Sequence, residues 1–271
     1  MKSKTLNLDH VSVSYLDNDK SSVFTIVFLH GNSSCKETFK KQFADSNLNE
    51  YRLIAIDLPG HGQTKVKEDP CANPQIYSFD YFHQITLDFI EALEIKNIVL
   101  VGHSLGGHIA INTARRTPQV CGLVISQTPP LDTMEQASLG FNTTTTVLET
   151  LYNPAATPDQ IEKVIDVFTQ SSELKSELRT SWQHTDPQFR INFSTSLVPG
   201  YEAKEREALS RTQSPWLILE SKDDICMQHN YFTDDEMLRS HMIEISGVRH
   251  FPQYDAAPEY NRELLKFLET L

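Results

Sequence analysis

No stretch of this chain could cross a bilayer as a helix, because no apolar run approaches the roughly 18 residues that a span needs. Behind the lysines of Met1-Lys2-Ser3-Lys4-Thr5 no apolar segment follows, so no signal peptide is visible. Basic charge is short as well: 24 Lys plus Arg stand against 36 Asp plus Glu, a net charge of -12 with a pI near 5.3. Nucleic acid and anionic membrane surfaces would repel such a chain, and no basic cluster offsets the deficit, so neither is expected as a partner. Cysteine is scarce: Cys35, Cys71, Cys121 and Cys226 lie far apart with no CxxC spacing. Free thiols in a reduced, cytoplasmic setting are the expected state. The chain also lacks the H-x-H and H-E-x-x-H spacings of zinc hydrolases. His61, His103 and His108 are scattered without a ligand pattern, the last two reading as an elbow-wall and a helix residue. No metal and no cofactor are expected. No internal duplication is found, and the four threonines from 143 to 146 are a local bias.

What is present suits a soluble globular protein, with 39% hydrophobic and 22% charged residues over 271 positions. That length allows one large domain, or a core with an inserted piece. His10 to Tyr15 alternates and reads as a half-buried strand at a sheet edge. Val23–Leu29 is a nearly continuous apolar run, as a central strand covered on both faces requires. Strands are also expected at Tyr51–Ile56, Ile98–Val101 and Gly122–Ile125, separated by helical patterns such as Phe79, Phe82, Ile85, Phe89 and Leu93. Strands alternating with helices make βαβ units and therefore a parallel sheet. From Pro129 the rhythm breaks. Residues 131 to 211 hold helical patterns and no convincing strand, the clearest helix opening with the capping box Thr157-Pro158-Asp159-Gln160. The rhythm resumes at Trp216–Leu219 and Met242–Ile245, and Ala257–Leu271 is an amphipathic helix. The reading is therefore a core of residues 1–130 and 212–271 with a helical cap, 131–211, over the strand ends.

The chemistry gathers at Gly102-His103-Ser104-Leu105-Gly106-Gly107, which lies between an apolar strand and a helical pattern. This is the G-x-S-x-G turn, in which the serine is held in a strained backbone and its neighbours must be small. A serine hydroxyl is a weak nucleophile until a base takes its proton and a carboxylate orients that base. Among the later histidines, His250 alone sits in a loop between the last strand and the final helix. The loop after Trp216–Leu219 offers Asp223, Asp224 and Glu220 as the acid, and its pattern favours Asp223. The developing oxyanion needs two donors, expected from the backbone N–H groups of Leu105 and Asn32, each worth roughly 3 to 4 kcal/mol. His30 reads as a packing or turn residue. In the cap, Met134, Phe141, Tyr152, Phe168 and Trp182 are candidates to line an apolar acyl site.

The set His30-Gly31-Asn32, Asp57-Leu58-Pro59-Gly60-His61-Gly62, Gly102–Gly107 and His250 resembles the α/β-hydrolase family. That resemblance implies an eight-stranded, mostly parallel sheet and a Ser–His–acid triad. The serine at 104 argues against the dehalogenase and epoxide-hydrolase branches, which carry Asp there. Glu220, where glycine is common, and the missing proline after Ile225 depart from the family pattern. More narrowly, His30–Ser34, Gly106-Gly107-His108-Ile109 and Gln127-Thr128-Pro129-Pro130 resemble the α/β-hydrolase type of N-acyl-homoserine-lactone lactonase. In those enzymes a polar side chain at the Asn32 position contacts the substrate. Where they place a substrate-facing tyrosine, this chain has Val164 or a neighbour, with Tyr152 earlier. The substrate-binding set expected on that basis is Asn32, Tyr152, Val164 and Phe141. The resemblance implies hydrolysis of a small ester or lactone, and a monomer or homodimer is expected. A C–C bond hydrolase, a cofactor-free perhydrolase and a non-catalytic small-molecule receptor are the alternatives on the same fold.

Overall fold

A computed structural model describes residues 2–197 and 202–271. Its strands are β1 (Lys4–Asn7), β2 (Val11–Asp17), β3 (Thr25–Leu29), β4 (Arg52–Ile56), β5 (Lys65–Val66), β6 (Ile98–His103), β7 (Val120–Ser126), β8 (Trp216–Ser221) and β9 (Met242–Ile245). Eight of them form one sheet in the order β1-β2-β4-β3-β6-β7-β8-β9, and the two-residue β5 pairs with β2. The pairs involving β2 are antiparallel and all the rest are parallel. This is the α/β-hydrolase fold, with a helical insertion between β7 and β8.

One expectation is corrected. The strand expected from His10 to Tyr15 is not at the edge: β1 pairs along it from Lys4↔Tyr15 to Asn7↔Ser12. Neighbours on both sides leave most of β2 buried. The four-residue β1 is too short and polar to show a periodic pattern.

The continuous apolar runs make the central strands, every residue of β3 and β6 being buried. Their side chains alternate between two cores. Val27, Leu29, Leu100 and Ile125 pack with the helices Phe79–Ala92 and Leu105–Ala114 and with the cap. Ile26, Phe28, Val99, Val101 and Val124 pack with Phe39, Phe43 and the last helix, through Tyr260, Leu264 and Phe267. Each fully buried aliphatic side chain contributes about 1.5–3 kcal/mol. In the cap, the helix Pro158–Phe168 is closed by its reciprocal capping box. Gln160 N–H donates to Thr157 Oγ1 at 3.3 Å, and Thr157 N–H donates to Gln160 Oε1 at 2.8 Å.

Register positions the site. Leu29 lies opposite Gly102, His103 opposite Ser126, Ser126 opposite Leu219, and Ser221 opposite Ile245. The loops after β3, β6, β7, β8 and β9 therefore leave the sheet at the same end. Asn32, Ser104, Gln127, Asp224 and His250 all lie in those loops. Among the described residues no helix is long and apolar enough to cross a membrane, and all four cysteines are free.

Candidate active site

Ser104 joins β6 to the helix Leu105–Ala114 with φ 53° and ψ -119°. That conformation costs a residue with a Cβ about 1–3 kcal/mol, so the surroundings must enforce it. They do so through close backbone approach. A Cβ on Gly106 would collide with the Leu29 carbonyl, and one on Gly107 with the Thr128 side chain. Ser104 N–H donates to Ser126 O at 2.9 Å, and Thr128 Oγ1 donates to Ser104 O at 2.9 Å. The serine is half-buried at the floor of a cleft. The N–H of Leu105 opens the helix, where no intrahelical acceptor exists for it.

His250 reaches the same strand end. The ring nitrogen Nε2 of His103, the residue before Ser104, donates to His250 O at 2.6 Å. Burial first, and His250 next, push the His103 imidazole well below its usual pKa, so it stays neutral. His250 N–H donates to Phe168 O at 3.0 Å, and the two rings stack with centroids 4.6 Å apart. The cap thus clamps one face of the imidazole. His250 Nδ1 lies 2.6 Å from Asp224 Oδ2 with both side chains buried. A carboxylate oxygen accepts, so Nδ1 carries the proton and Nε2 is left as the basic nitrogen. Nε2 has no hydrogen-bond partner among the described residues.

Asp224, and not the preferred Asp223, is the carboxylate that reaches His250. Asp223 is exposed and accepts from Gly247 N–H at 2.6 Å, whereas Asp224 turns inward. Cys226 N–H donates to Asp224 Oδ1 at 2.9 Å, and Gln127 Nε2 donates to Oδ2 at 2.7 Å. Burial raises the Asp224 carboxyl, but His250 and these donors outweigh it and hold it below the usual carboxylate range. Glu220, the third candidate, is fully buried and accepts from His229 Nδ1 at 3.1 Å instead. Burial, with Asp224 and Glu244 adding to it, pushes its carboxyl up to about 8.

Gln127, which the sequence offered only as part of the motif Gln127-Thr128-Pro129-Pro130 and with no role of its own, lies against the Asp224 carboxylate. Fully buried at φ 49°, it donates to Asp224 while its Oε1 accepts Ser221 N–H at 2.7 Å. A non-glycine residue with left-handed backbone next to a strand end carries no sequence signal. His30 is a structural residue. Its Nδ1 donates to Gly31 O at 2.8 Å and its Nε2 accepts Leu58 N–H at 3.0 Å, tying the Asn32 loop to the end of β4.

A cavity of about 60 Å³ opens beside Ser104. Asn32, Phe141, Tyr152 and Met134 line it, as do Phe79, Leu148, Leu151, Phe193, His108 and Glu205. Val164 does not: it is 1% exposed and packs into the core from the cap helix Pro158–Phe168. Of the other cap aromatics, Phe168 covers His250, and Trp182 takes the Arg190 guanidinium over its ring at 4.6 Å. Asn32 is oriented from behind: Arg190 Nη2 donates to Ser33 Oγ at 2.8 Å, and Ser33 Oγ donates to Asn32 Oδ1 at 2.8 Å. Asn32 Nδ2 is buried and makes no hydrogen bond of regular geometry, while the Asn32 amide interacts with the Tyr152 phenol. Burial pushes the Tyr152 phenol up to about 12, with Asn32 partly opposing the shift.

Among the described residues the group with metal-donor spacing is Asp224, Cys226 and His250, whose donor atoms lie within 4.8 Å of one another. Asp224 and His250 already bond each other, and burial, then Asp224, raises the Cys226 thiol well above its usual pKa and keeps it protonated. That donor set fits proton transfer better than metal binding.

A family model for the alpha/beta hydrolase family matches residues 26–263. The N-acyl homoserine lactonase AidH, solved in complex with N-butanoyl homoserine, superposes with a TM-score of 0.88 at 22% identity, covering 99% of this chain and 96% of that one. The uncharacterized hydrolase YugF of Bacillus subtilis is 30% identical over 122 residues, 45% of this chain and 42% of that protein, so less than half of YugF is spanned. A protein of Mycoplasma genitalium, provisionally named esterase/lipase 2, is 25% identical over 254 residues, 90% of this chain and 89% of that protein.

Proposed function

The chain belongs to the alpha/beta hydrolase family, and on that footing we propose that it is a serine hydrolase cleaving a carboxylic ester or lactone through an acyl-enzyme on Ser104. The observation that carries this reading is the buried 2.6 Å contact between Asp224 and His250 Nδ1, in a loop bonded to the residue before Ser104. His250 Nε2 takes the Ser104 proton as the hydroxyl oxygen attacks the carbonyl carbon. The N–H groups of Leu105 and Asn32 receive the negative charge that develops on the carbonyl oxygen. His250 then returns the proton to the leaving alkoxide as the C–O bond breaks. A water, deprotonated by the same nitrogen, hydrolyses the acyl-enzyme and releases the acid. In a lactone the alcohol stays tethered to the acyl group throughout.

The finer reading is an N-acyl-homoserine lactone. Two things support it: the fold shared with AidH over 99% of this chain, and a largely apolar cavity beside Ser104 that Asn32 and Tyr152 line. The cavity is small, so the cap side chains must move apart to admit an acyl chain.

A fluorophosphonate probe tests the class: it should label the wild type and leave Ser104→Ala unlabelled. Equal labelling of both would end the assignment. Acid release from N-butanoyl homoserine lactone, set against p-nitrophenyl butanoate, tests the finer reading. Turnover of the ester alone would reject the lactone while keeping the hydrolase.

A further inference from the structure

Four residues beyond Ser104 on the same helix lies a second buried imidazole–carboxylate pair that the proposed mechanism leaves unused. His108 Nδ1 stands 2.8 Å from Glu205 Oε2 and 3.0 Å from Oε1. Glu205 is 1% exposed and also accepts from Asn112 Nδ2 at 3.0 Å and from Leu131 N–H at 2.9 Å. Three donors fill the carboxylate, so it holds the His108 ring at one angle with the proton on Nδ1. The ring is packed between Phe79, edge-on with centroids 6.1 Å apart, and Phe141, tilted with centroids 6.0 Å apart. His108, Glu205 and both phenylalanines line the cavity that contains Ser104. His108 Nε2 has no hydrogen-bond partner among the described residues, and in the neutral ring it is an acceptor.

We propose that the His108–Glu205 pair is a specificity-determining site, in which His108 Nε2 accepts a hydrogen bond from an N–H group of the substrate's acyl part. This rests on Ser104 being the nucleophile of an ester or lactone hydrolase. The cavity then presents a donor, Asn32 Nδ2, beside the Tyr152 hydroxyl, and an acceptor, His108 Nε2, in mostly apolar walls. A secondary amide answers both, whereas a plain fatty ester leaves both unmade. Sites of this kind discriminate because the polar group of the protein is stranded when the wrong substrate binds.

The test compares the ethyl esters of N-butanoylglycine and N-butanoylsarcosine, which differ only in N–H against N–CH3. The readout is the ratio of their kcat/KM values within each protein. The wild type should prefer the glycine ester by roughly tenfold or more. In His108→Leu that ratio should fall below about threefold, the change lying in KM. His108→Gln, whose side-chain carbonyl can accept, should restore part of it. A pair that only ties cap to core would leave the ratio unmoved. No preference in the wild type, or a ratio unchanged in His108→Leu, overturns the inference even if Ser104 labels normally. Absence of both labelling and turnover overturns it together with the hydrolase reading.

Discussion

Asp224 and His250 stand 26 positions apart in sequence and meet at 2.6 Å with both side chains buried, while Asp223, one residue away, points to solvent. If Asp224 orients the base, Asp224→Asn should lower kcat by about 10³–10⁴-fold with little loss of fold, because an amide no longer selects the required tautomer. Asp223→Asn should stay within about threefold. Steady-state kinetics on p-nitrophenyl butanoate decide it, and the reverse ranking would return the role to Asp223.

Ser104 occupies a backbone conformation suited to glycine, φ 53° and ψ -119°. Ser104→Gly should abolish turnover and yet stabilise the protein. Relief of about 1–3 kcal/mol of strain exceeds the roughly 0.5–1 kcal/mol entropic cost of glycine. A net gain near 1 kcal/mol corresponds to a rise of about 2–4 °C in Tm. A lower Tm in a calorimetric scan would show that the turn is unstrained.

Gln127 bonds Asp224 with one end of its amide and the Ser221 N–H with the other. Gln127→Leu strands both groups in a buried place, so stability should fall by about 1–3 kcal/mol in urea titration. The loosened Asp224 should also lower kcat, by roughly tenfold. An unchanged kcat, measured well below the melting temperature, would mean that Asp224 is held without Gln127.

Glu220 is fully buried, and burial raises its carboxyl to about 8 from an ordinary value of 4.5. The folded form therefore keeps a proton that the unfolded chain releases above about 4.5. Its contribution to stability is intact below that pH and is lost as pH rises toward 8. Glu220→Gln, which cannot ionise, should match the wild type near pH 4.5 and exceed it increasingly up to pH 8.5, by at least about 1 kcal/mol. His229, whose Nδ1 lies 3.1 Å from Glu220, is the same in both proteins. Parallel stability curves across that range would show that Glu220 is not held protonated.

The sequence by itself determined the parallel core and the turn at Ser104. Both are written in neighbouring residues: apolar runs long enough for strands covered on two faces, and small residues where backbones must touch, as Gly106 touches Leu29. It also placed His250 in a loop that follows the last strand at the end of the sheet where Ser104 lies. Only the tertiary structure brings Asp224 rather than Asp223 to His250, since adjacent loop residues differ in the side they face and that side is set by bonds to Cys226 and Gln127. Contacts between segments remote in the chain, His108 with Glu205 and Gln127 with Asp224, each spanning 97 positions, leave no periodic trace. Sheet register and cap packing create them, and neither is a local property of the chain.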